Sequence, residues 1–232
     1  MIAEEEQLTI ETVLEATGGT LVQGDPHISF AGVSTDSRSI KSGELFFALR
    51  GERFDGHRFI AEALKRGGTG GVVEQEFERF SDKTISIIKV PNTLQALGDL
   101  ANLWRKRHPI PLIAVVGSNG KTTTKEMVAG ILGQKDEVLK NPGNLNNLVG
   151  LPLSLLKMNA KDRVAVLEMG MNRPGEILRL TQIAEPDLGI VTNIGPVHLE
   201  GLGSIDGVME AKGELLKGMD TRGRLIFNAD DP

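Results

Sequence analysis

The sequence predicts an α/β protein in two parts: a small mixed α/β N-terminal domain over residues 1–90, and a mainly parallel-sheet P-loop domain over residues 91–232. Three observations lead there. Gly117-Ser118-Asn119-Gly120-Lys121-Thr122-Thr123 lies between the apolar run Leu112-Ile113-Ala114-Val115-Val116 and an amphipathic segment over 125–132, the strand–glycine loop–helix order that a phosphate-binding loop needs. From there to Phe227, strand-like and helix-like segments alternate, the rhythm of a parallel sheet covered on both faces. Before Pro91 the rhythm differs, with short β-like runs around a single amphipathic segment.

In the first part, Thr9 is a suitable N-cap for a helix through Ala16 that Gly18-Gly19 ends. Strand-like runs follow at 28–33, 45–49, 71–73 and 85–90, with a helical segment over 57–66. Between the first two runs sits Ser34-Thr35-Asp36-Ser37-Arg38-Ser39, hydroxyls around one acid and one base. Ser, Thr and Asp favour turns for local hydrogen-bonding reasons, so a plain turn explains much of it. A second polar loop, Arg50-Gly51-Glu52-Arg53-Phe54-Asp55-Gly56-His57, follows the next run, and the two loops could line one ligand pocket.

Pro91-Asn92 marks the boundary. Asn92 with Gln95 resembles a capping box, and opens a helix with Leu97, Leu100, Ala101 and Trp104 on one face; Pro109 and Pro111 end it. After the phosphate loop come strands at 137–140, 164–168, 188–192 and 224–227, with helices at 151–156, 176–183 and 205–217 between them. Ligands of such sheets sit beyond the carboxyl ends of the strands, which is a test for every polar residue found there.

Lys121 is placed to lie against phosphates and the Thr122 hydroxyl to ligate Mg²⁺, so a nucleoside triphosphate is the expected ligand. The match to G-x-x-x-x-G-K-[ST] lacks its first glycine, because Val115 holds that position. Glu168 ends an apolar run, and its carboxylate should reach the phosphate side, where it could hold Mg²⁺; a solvated strand-end acid is the plainer alternative. His198 follows the 188–192 strand, where by spacing alone a histidine is more often structural than a ligand. Lys212 shares a helix face with Ile205, Val208, Met209, Leu215 and Leu216, all expected to be buried. A lysine there either snorkels or points at the phosphates, as a cation or after covalent modification. Asn141, Asn144, Asn146 and Asn147 crowd one loop after a strand; a turn explains two of them and a polar substrate would explain the rest.

Composition sets the outer bounds. The 232 residues are 40% hydrophobic and 25% charged, as in an ordinary globular protein. A net charge of −5 and a single short basic cluster, Arg105-Lys106-Arg107-His108, argue against a nucleic-acid partner; that cluster ends a helix, where cations suit the dipole. With no cysteine there is no disulfide framework or thiolate chemistry, and no apolar run approaches the roughly 18 residues of a membrane span. A cytoplasmic, monomeric protein is the expectation.

With these pieces placed, the sequence resembles the Mur ligase family of peptidoglycan precursor synthesis. The resemblance rests on Gly117-Ser118-Asn119-Gly120-Lys121-Thr122-Thr123, the family's own form of the loop, which accounts for the missing glycine. It also rests on Ser34-Thr35-Asp36-Ser37-Arg38, Asn144-Leu145-Asn146-Asn147, Glu168-Met169-Gly170, His198-Leu199-Glu200-Gly201, Glu210-Ala211-Lys212 and Asn228-Ala229-Asp230-Asp231. The branch that adds a dipeptide fits better than the branch that adds the third amino acid. The resemblance implies an ATP-dependent ligase of cell wall biogenesis that joins D-alanyl-D-alanine to UDP-N-acetylmuramoyl-tripeptide through an acyl phosphate. Ser34, Thr35, Asp36, Ser37 and Arg38, with Glu52, Arg53 and Phe54, would bind the uridine diphosphate end. Gly117 to Thr123 would bind ATP, with Lys121 on its phosphates, Thr122 on one Mg²⁺ and Asn228 near the adenine. Glu168 and His198 would hold a second Mg²⁺, Lys212 would be a carbamate able to bind metal, Lys121, His198 and Lys212 would be the catalytic residues, and Asn144, Asn146 and Asn147 would contact the muramoyl-peptide.

Family members carry a third, C-terminal domain, and this chain stops at Pro232, before that domain and before the central sheet should be complete. The chain alone is therefore expected to be inactive. A non-catalytic fragment holding UDP-sugar and nucleotide stays open, as does another Mur ligase or a folylpolyglutamate-synthase relative. A generic P-loop NTPase is more distant, because the Ser34–Arg38 unit has no place in it.

Overall fold

The computed structural model describes residues 7–51, 54–74, 80–82 and 84–231. Glu52 and Arg53, expected at the uridine diphosphate end, lie outside the described residues. The chain forms two compact units, residues 1–103 and 104–232. The sequence-based boundary at 90/91 falls just before the helix within which that division occurs.

The first unit opens with β1 (Leu8–Thr9) and α1 (Ile10–Thr17). Thr9 caps α1 by accepting from the Thr12 N–H, and Gly18 closes it in the left-handed conformation (φ 62°) that a side chain would strain. There follow β2 (Thr20–Gln23), β3 (Ser29–Phe30), β4 (Gly32–Ser34) and β5 (Glu44–Phe47). After a 3₁₀ turn at Gly56–Phe59 come α2 (Ile60–Lys65), β6 (Gly70–Val73) and β7 (Ser86–Lys89). The sheet order is β2-β7-β6-β5-β4, parallel throughout except for the β2/β7 pair, while β1 and β3 form a separate antiparallel pair. Central strands of a sheet covered on both faces should be apolar at consecutive positions, and Leu45, Phe46 and Phe47 are all buried. The single strand expected over 28–33 is two, because β3 pairs with β1 and β4 with β5. The helix expected over 57–66 begins as a 3₁₀ turn whose N-cap is Asp55.

Helix α3 (Thr93–Arg107) follows, its Asn92 side chain accepting from the Gln95 N–H at 2.8 Å. In the second unit β8 (Leu112–Val116), α4 (Lys121–Leu132), β9 (Val138–Lys140), α5 (Gly150–Leu155) and β10 (Val164–Glu168) lead into α6 (Glu176–Ala184) and β11 (Leu188–Val191). A short α7 (Leu199–Leu202), α8 (Ile205–Gly218) and β12 (Arg224–Phe227) complete it. The five strands are all parallel, in the order β12-β11-β8-β10-β9. Val115 and Val166 are fully buried against Ala129 of α4. Arg105 is buried and donates to the Ala184 carbonyl at 3.0 Å and the His108 carbonyl at 2.8 Å, so it satisfies carbonyls at the ends of two helices.

One expectation fails in α8. The buried face is Val208, Ala211, Lys212 and Leu215, whereas Ile205, Met209 and Leu216 are more than half exposed. Those three continue the apolar stripe around the helix, beyond what α6 covers. Ile226 and Phe227 on the edge strand β12 are exposed in the same way.

Candidate functional site

Three adjacent strands, β11-β8-β10, aim their carboxyl ends the same way, with Val115 in register with both Glu168 and Ile190. They bring together the phosphate loop after β8, Glu168 at the end of β10 and the loop after β11. Gly117 leaves β8 at φ 147°, and a Cβ there would lie 1.9 Å from Thr192 Oγ1, so the loop can close against β11 only without a side chain. Gly120 takes a left-handed turn (φ 77°) into α4, whose N-terminus carries no side-chain cap. Its first-turn N–H groups and positive dipole end thus stay available to an anion. The Lys121 ammonium lies over the loop, donating to the carbonyls of Gly117 (2.9 Å) and Ser118 (3.2 Å).

The loop's shape is held from β11. The N–H of Asn119 donates to Asn193 Oδ1 at 2.9 Å, the Thr192 hydroxyl donates to the Asn119 carbonyl at 2.6 Å, and the Gly195 N–H donates to Ser118 Oγ at 2.8 Å. Asp231, after β12, accepts from the Ile194 N–H at 2.6 Å. Asn228 is exposed and accepts from the Asp230 N–H, forming the turn that presents Asp231. Thr123 is exposed on the first turn of α4.

Thr122 Oγ1 donates to Glu168 Oε2 at 2.7 Å, and Asn146 Nδ2 donates to Glu168 Oε1 at 2.7 Å. A hydroxyl and a carboxylate side by side at a phosphate loop are the hard oxygen donors that Mg²⁺ takes, so the donor set fits that ion. Among the described residues, no three His, Cys, Asp or Glu side chains form a group that would hold a metal. An ion here would complete its shell with phosphate or water oxygens, as Mg²⁺ commonly does.

His198 is exposed and left-handed (φ 54°), and its carbonyl accepts from the N–H groups of Gly201 and Leu202 to start α7. A non-glycine residue held there is strained, which is common at functional turns. Lys212 is buried, and its pKa is pushed down from 10.5 to about 8, first by burial and then by the Lys121 ammonium. The two lysines therefore face one region.

The asparagine loop divides its labour. Asn146 holds Glu168, and Asn147 Oδ1 caps α5 by accepting from the N–H groups of Val149 (3.1 Å) and Gly150 (2.9 Å). Asn141 is buried and bonded to the backbone of Glu168. Asn144 is exposed.

In the first unit, the Ser34–Arg38 cluster leaves β4 and the 50–57 loop follows β5, its parallel neighbour, so both lie at one end of that sheet. Arg38 grips Asp36 with two bonds (2.9 and 2.8 Å), which pulls the Asp36 pKa down to about 2. Ser34 Oγ accepts from the Asp36 N–H, Ser37 is buried, and Thr35 is partly exposed. Phe54 is 51% exposed and stacks on Phe59 at 5.1 Å. His57 Nε2 accepts from the Glu74 N–H at 2.9 Å, so its proton sits on Nδ1 and points at Asp55 Oδ1, 2.6 Å away.

Sequence reasoning passed over Lys125, Thr192, Asn193 and the His57–Glu74 contact, and gave Asp231 a place in a motif but no role. Asn193 stood in the same segment as His198, and an amide just past a strand end was the available signal. Lys125, on a helix read only for its apolar face, left none.

The Mur ligase middle-domain model matches residues 115–232, and the Mur ligase family catalytic-domain model matches residues 29–105. The chain is 40% identical over 225 residues to the UDP-N-acetylmuramoyl-tripeptide–D-alanyl-D-alanine ligase of Bacillus subtilis, covering 97% of this chain and 49% of that protein. It is 39% identical over 224 residues to the corresponding Escherichia coli ligase, covering 97% and 48%. Crystal structure I of MurF from Acinetobacter baumannii superposes with a TM-score of 0.91 at 36% identity, covering 98% of this chain and 50% of that one. MurF from Thermotoga maritima in complex with ADP superposes at 0.79 with 37% identity, covering 87% and 46%. The chain spans about half the length of the curated relatives it matches. With one family model covering half its residues and the other most of its first unit, the chain belongs to the Mur ligase family.

Proposed function

We propose that the chain is the UDP-sugar-binding and ATP-binding part of a cytoplasmic ligase that joins D-alanyl-D-alanine to UDP-N-acetylmuramoyl-tripeptide. The observation that carries this is the Thr122–Glu168 hydrogen bond beside Lys121 at the carboxyl edge of a parallel sheet. Identities of 35–41% to dipeptide-adding relatives support the choice of acceptor.

In this reading the ATP phosphates lie on the first turn of α4 under Lys121, and Asn228 lies near the adenine. Thr122 and Glu168 would hold Mg²⁺, with His198 at a second position, and the ion would neutralise phosphate charge. The γ-phosphoryl passes to the terminal carboxylate of the muramoyl-tripeptide, and the dipeptide amine then displaces phosphate. Both partners in the first step are anions, so positioning and the charge of Lys121 contribute most of what this chain offers. A neutral Lys212 amine can add to CO₂, forming an N–C bond and losing a proton, to become a carbamate anion. Ser34, Thr35, Ser37, Arg38 and Phe54 bind the uridine diphosphate end, and Asn144 faces the muramoyl-peptide.

Phosphate release by the 232-residue chain with Mg-ATP, UDP-N-acetylmuramoyl-tripeptide and D-alanyl-D-alanine, each omitted in turn, is the test. Release that needs all three identifies a ligase. Binding of the UDP-sugar and ATP without release identifies the chain as the substrate-holding part. Failure to bind either overturns the proposal.

A further inference from the structure

Lys125 is the odd residue of α4. Its side chain is completely buried, yet it sits one turn beyond Lys121 on a helix whose other buried residue is Ala129. Its ammonium donates to the backbone carbonyl of Asn141 at 2.7 Å and lies 3.1 Å from Glu126 Oε1, while Glu126 also pairs with Lys140. A packing role would be filled by methionine or leucine without taking a charge out of water.

Asn141 is equally committed. Its Oδ1 accepts from the Glu168 N–H at 2.9 Å, and its Nδ2 donates to the carbonyls of Glu168 (2.9 Å) and Leu145 (2.8 Å). Strand β9 ends at Lys140, in register with Val166, so the backbone of Glu168 has no strand neighbour on that side. The Asn141 amide takes that neighbour's place. The bonds close into a ring: Thr122 hydroxyl to Glu168 carboxylate, Glu168 backbone to Asn141 amide, Asn141 carbonyl to Lys125, and Lys125 back to Thr122 three residues away on one helix face.

Building on the function proposed above, we infer that Lys125 and Asn141 are positioning residues that hold the Glu168 carboxylate at the fixed distance from Thr122 needed to bind one divalent cation beside the nucleotide phosphates. Lys125 ties the helix that carries Thr122 to the loop that carries Asn141, and Asn141 sets the last residue of β10. Both are fully buried and act through Thr122 and Glu168.

The test is calorimetric titration of the chain with ADP, with and without Mg²⁺, alongside thermal unfolding. The quantity read is the gain in ADP affinity that Mg²⁺ brings. Lys125→Met should keep Mg-free ADP affinity within twofold and lose at least fivefold of the Mg²⁺-dependent gain, whereas Lys125→Arg should retain at least half of it. Asn141→Ala leaves the backbone acceptor of Lys125 in place, so it reads the same ring should Lys125→Met fail to fold; it should show the same selective loss. A folded variant of either kind with the full gain overturns the inference, as does an equal loss with and without Mg²⁺, which marks a merely structural role. No gain in the unsubstituted chain overturns both this inference and the function on which it rests; a gain there that both variants keep overturns the inference alone.

Discussion

The Thr122 hydroxyl donates to the Glu168 carboxylate at 2.7 Å, joining the first turn of α4 to the last residue of β10. Valine at 122 keeps the branched shape and removes the oxygen. Thr122→Val is expected to weaken ADP binding in Mg²⁺ about tenfold, roughly 1.4 kcal/mol, and to leave Mg-free binding little changed. Thr122→Ser should behave as the unsubstituted chain. Titrations of the three proteins check this, and a Thr122→Val protein with full affinity would detach the hydroxyl from cation binding.

Gly117 offers a steric test of the same loop. Its φ of 147° and the 1.9 Å approach of a Cβ to Thr192 Oγ1 leave alanine no room. Gly117→Ala should abolish detectable ADP binding while the circular dichroism of the fold persists. Thr192→Gly removes the obstructing hydroxyl together with its bond to the Asn119 carbonyl, so that single variant is the reference, and the double variant should bind ADP nearly as well as it does. A double variant that binds far more weakly than Thr192→Gly alone would place the fault in the backbone torsion and not in the hydroxyl contact.

Lys212 gives a pH-dependent signature. Its pKa near 8 in the fold, against 10.5 for an ordinary lysine, means that folding disfavours its protonated form. That deficit is complete below pH 8 and fades as pH rises from 8 to 10.5. In CO₂-free buffer, Lys212→Met should therefore be more stable than the unsubstituted chain at pH 7, by on the order of 2 kcal/mol, with the margin closing through that window. With ¹³C-bicarbonate, a carbamate resonance should grow from pH 7 to pH 9 and be absent from Lys212→Met. Its absence from both proteins would exclude the carbamate in this chain.

The legible parts of this molecule were those governed by local rules. The α1 cap at Thr9, the Asn92 cap of α3 and the alternation from β8 to β12 follow from side-chain type and period; the structure places the strands within a residue or two, while α4 begins four residues before the expected 125 and the short α7 was not expected. Glu168 was legible because a charged residue ending an apolar strand of a parallel sheet has one place to go. The roles of Lys125 and Asn141 were not, because the bonds that define them run to distant backbone atoms: Lys125 meets a carbonyl 16 residues away, and Asn141 a peptide 27 residues away. The α8 face was misread for a related reason. Ile205, Met209 and Leu216 satisfy the helical period, but period alone does not say how wide a stripe the neighbours cover.

His57 closes the case for the first unit. Its Nδ1 proton points at Asp55 and its Nε2 accepts from the Glu74 N–H, while Glu74 Oε1 in turn accepts from the Thr93 N–H (2.7 Å) and hydroxyl (2.9 Å). These bonds pin the loop that ends at His57 against β6 and the start of α3. Alanine at 57 strands a backbone donor and frees the loop, so His57→Ala should destabilise the first unit by about 2 kcal/mol. The same change should weaken binding of the UDP-sugar several-fold, since Phe54 belongs to that loop, and leave ADP affinity untouched. Thermal unfolding with parallel UDP and ADP titrations separates the outcomes. Loss of stability with UDP affinity intact would remove the 50–57 loop from the sugar-nucleotide site and leave the Ser34–Arg38 turn to hold it.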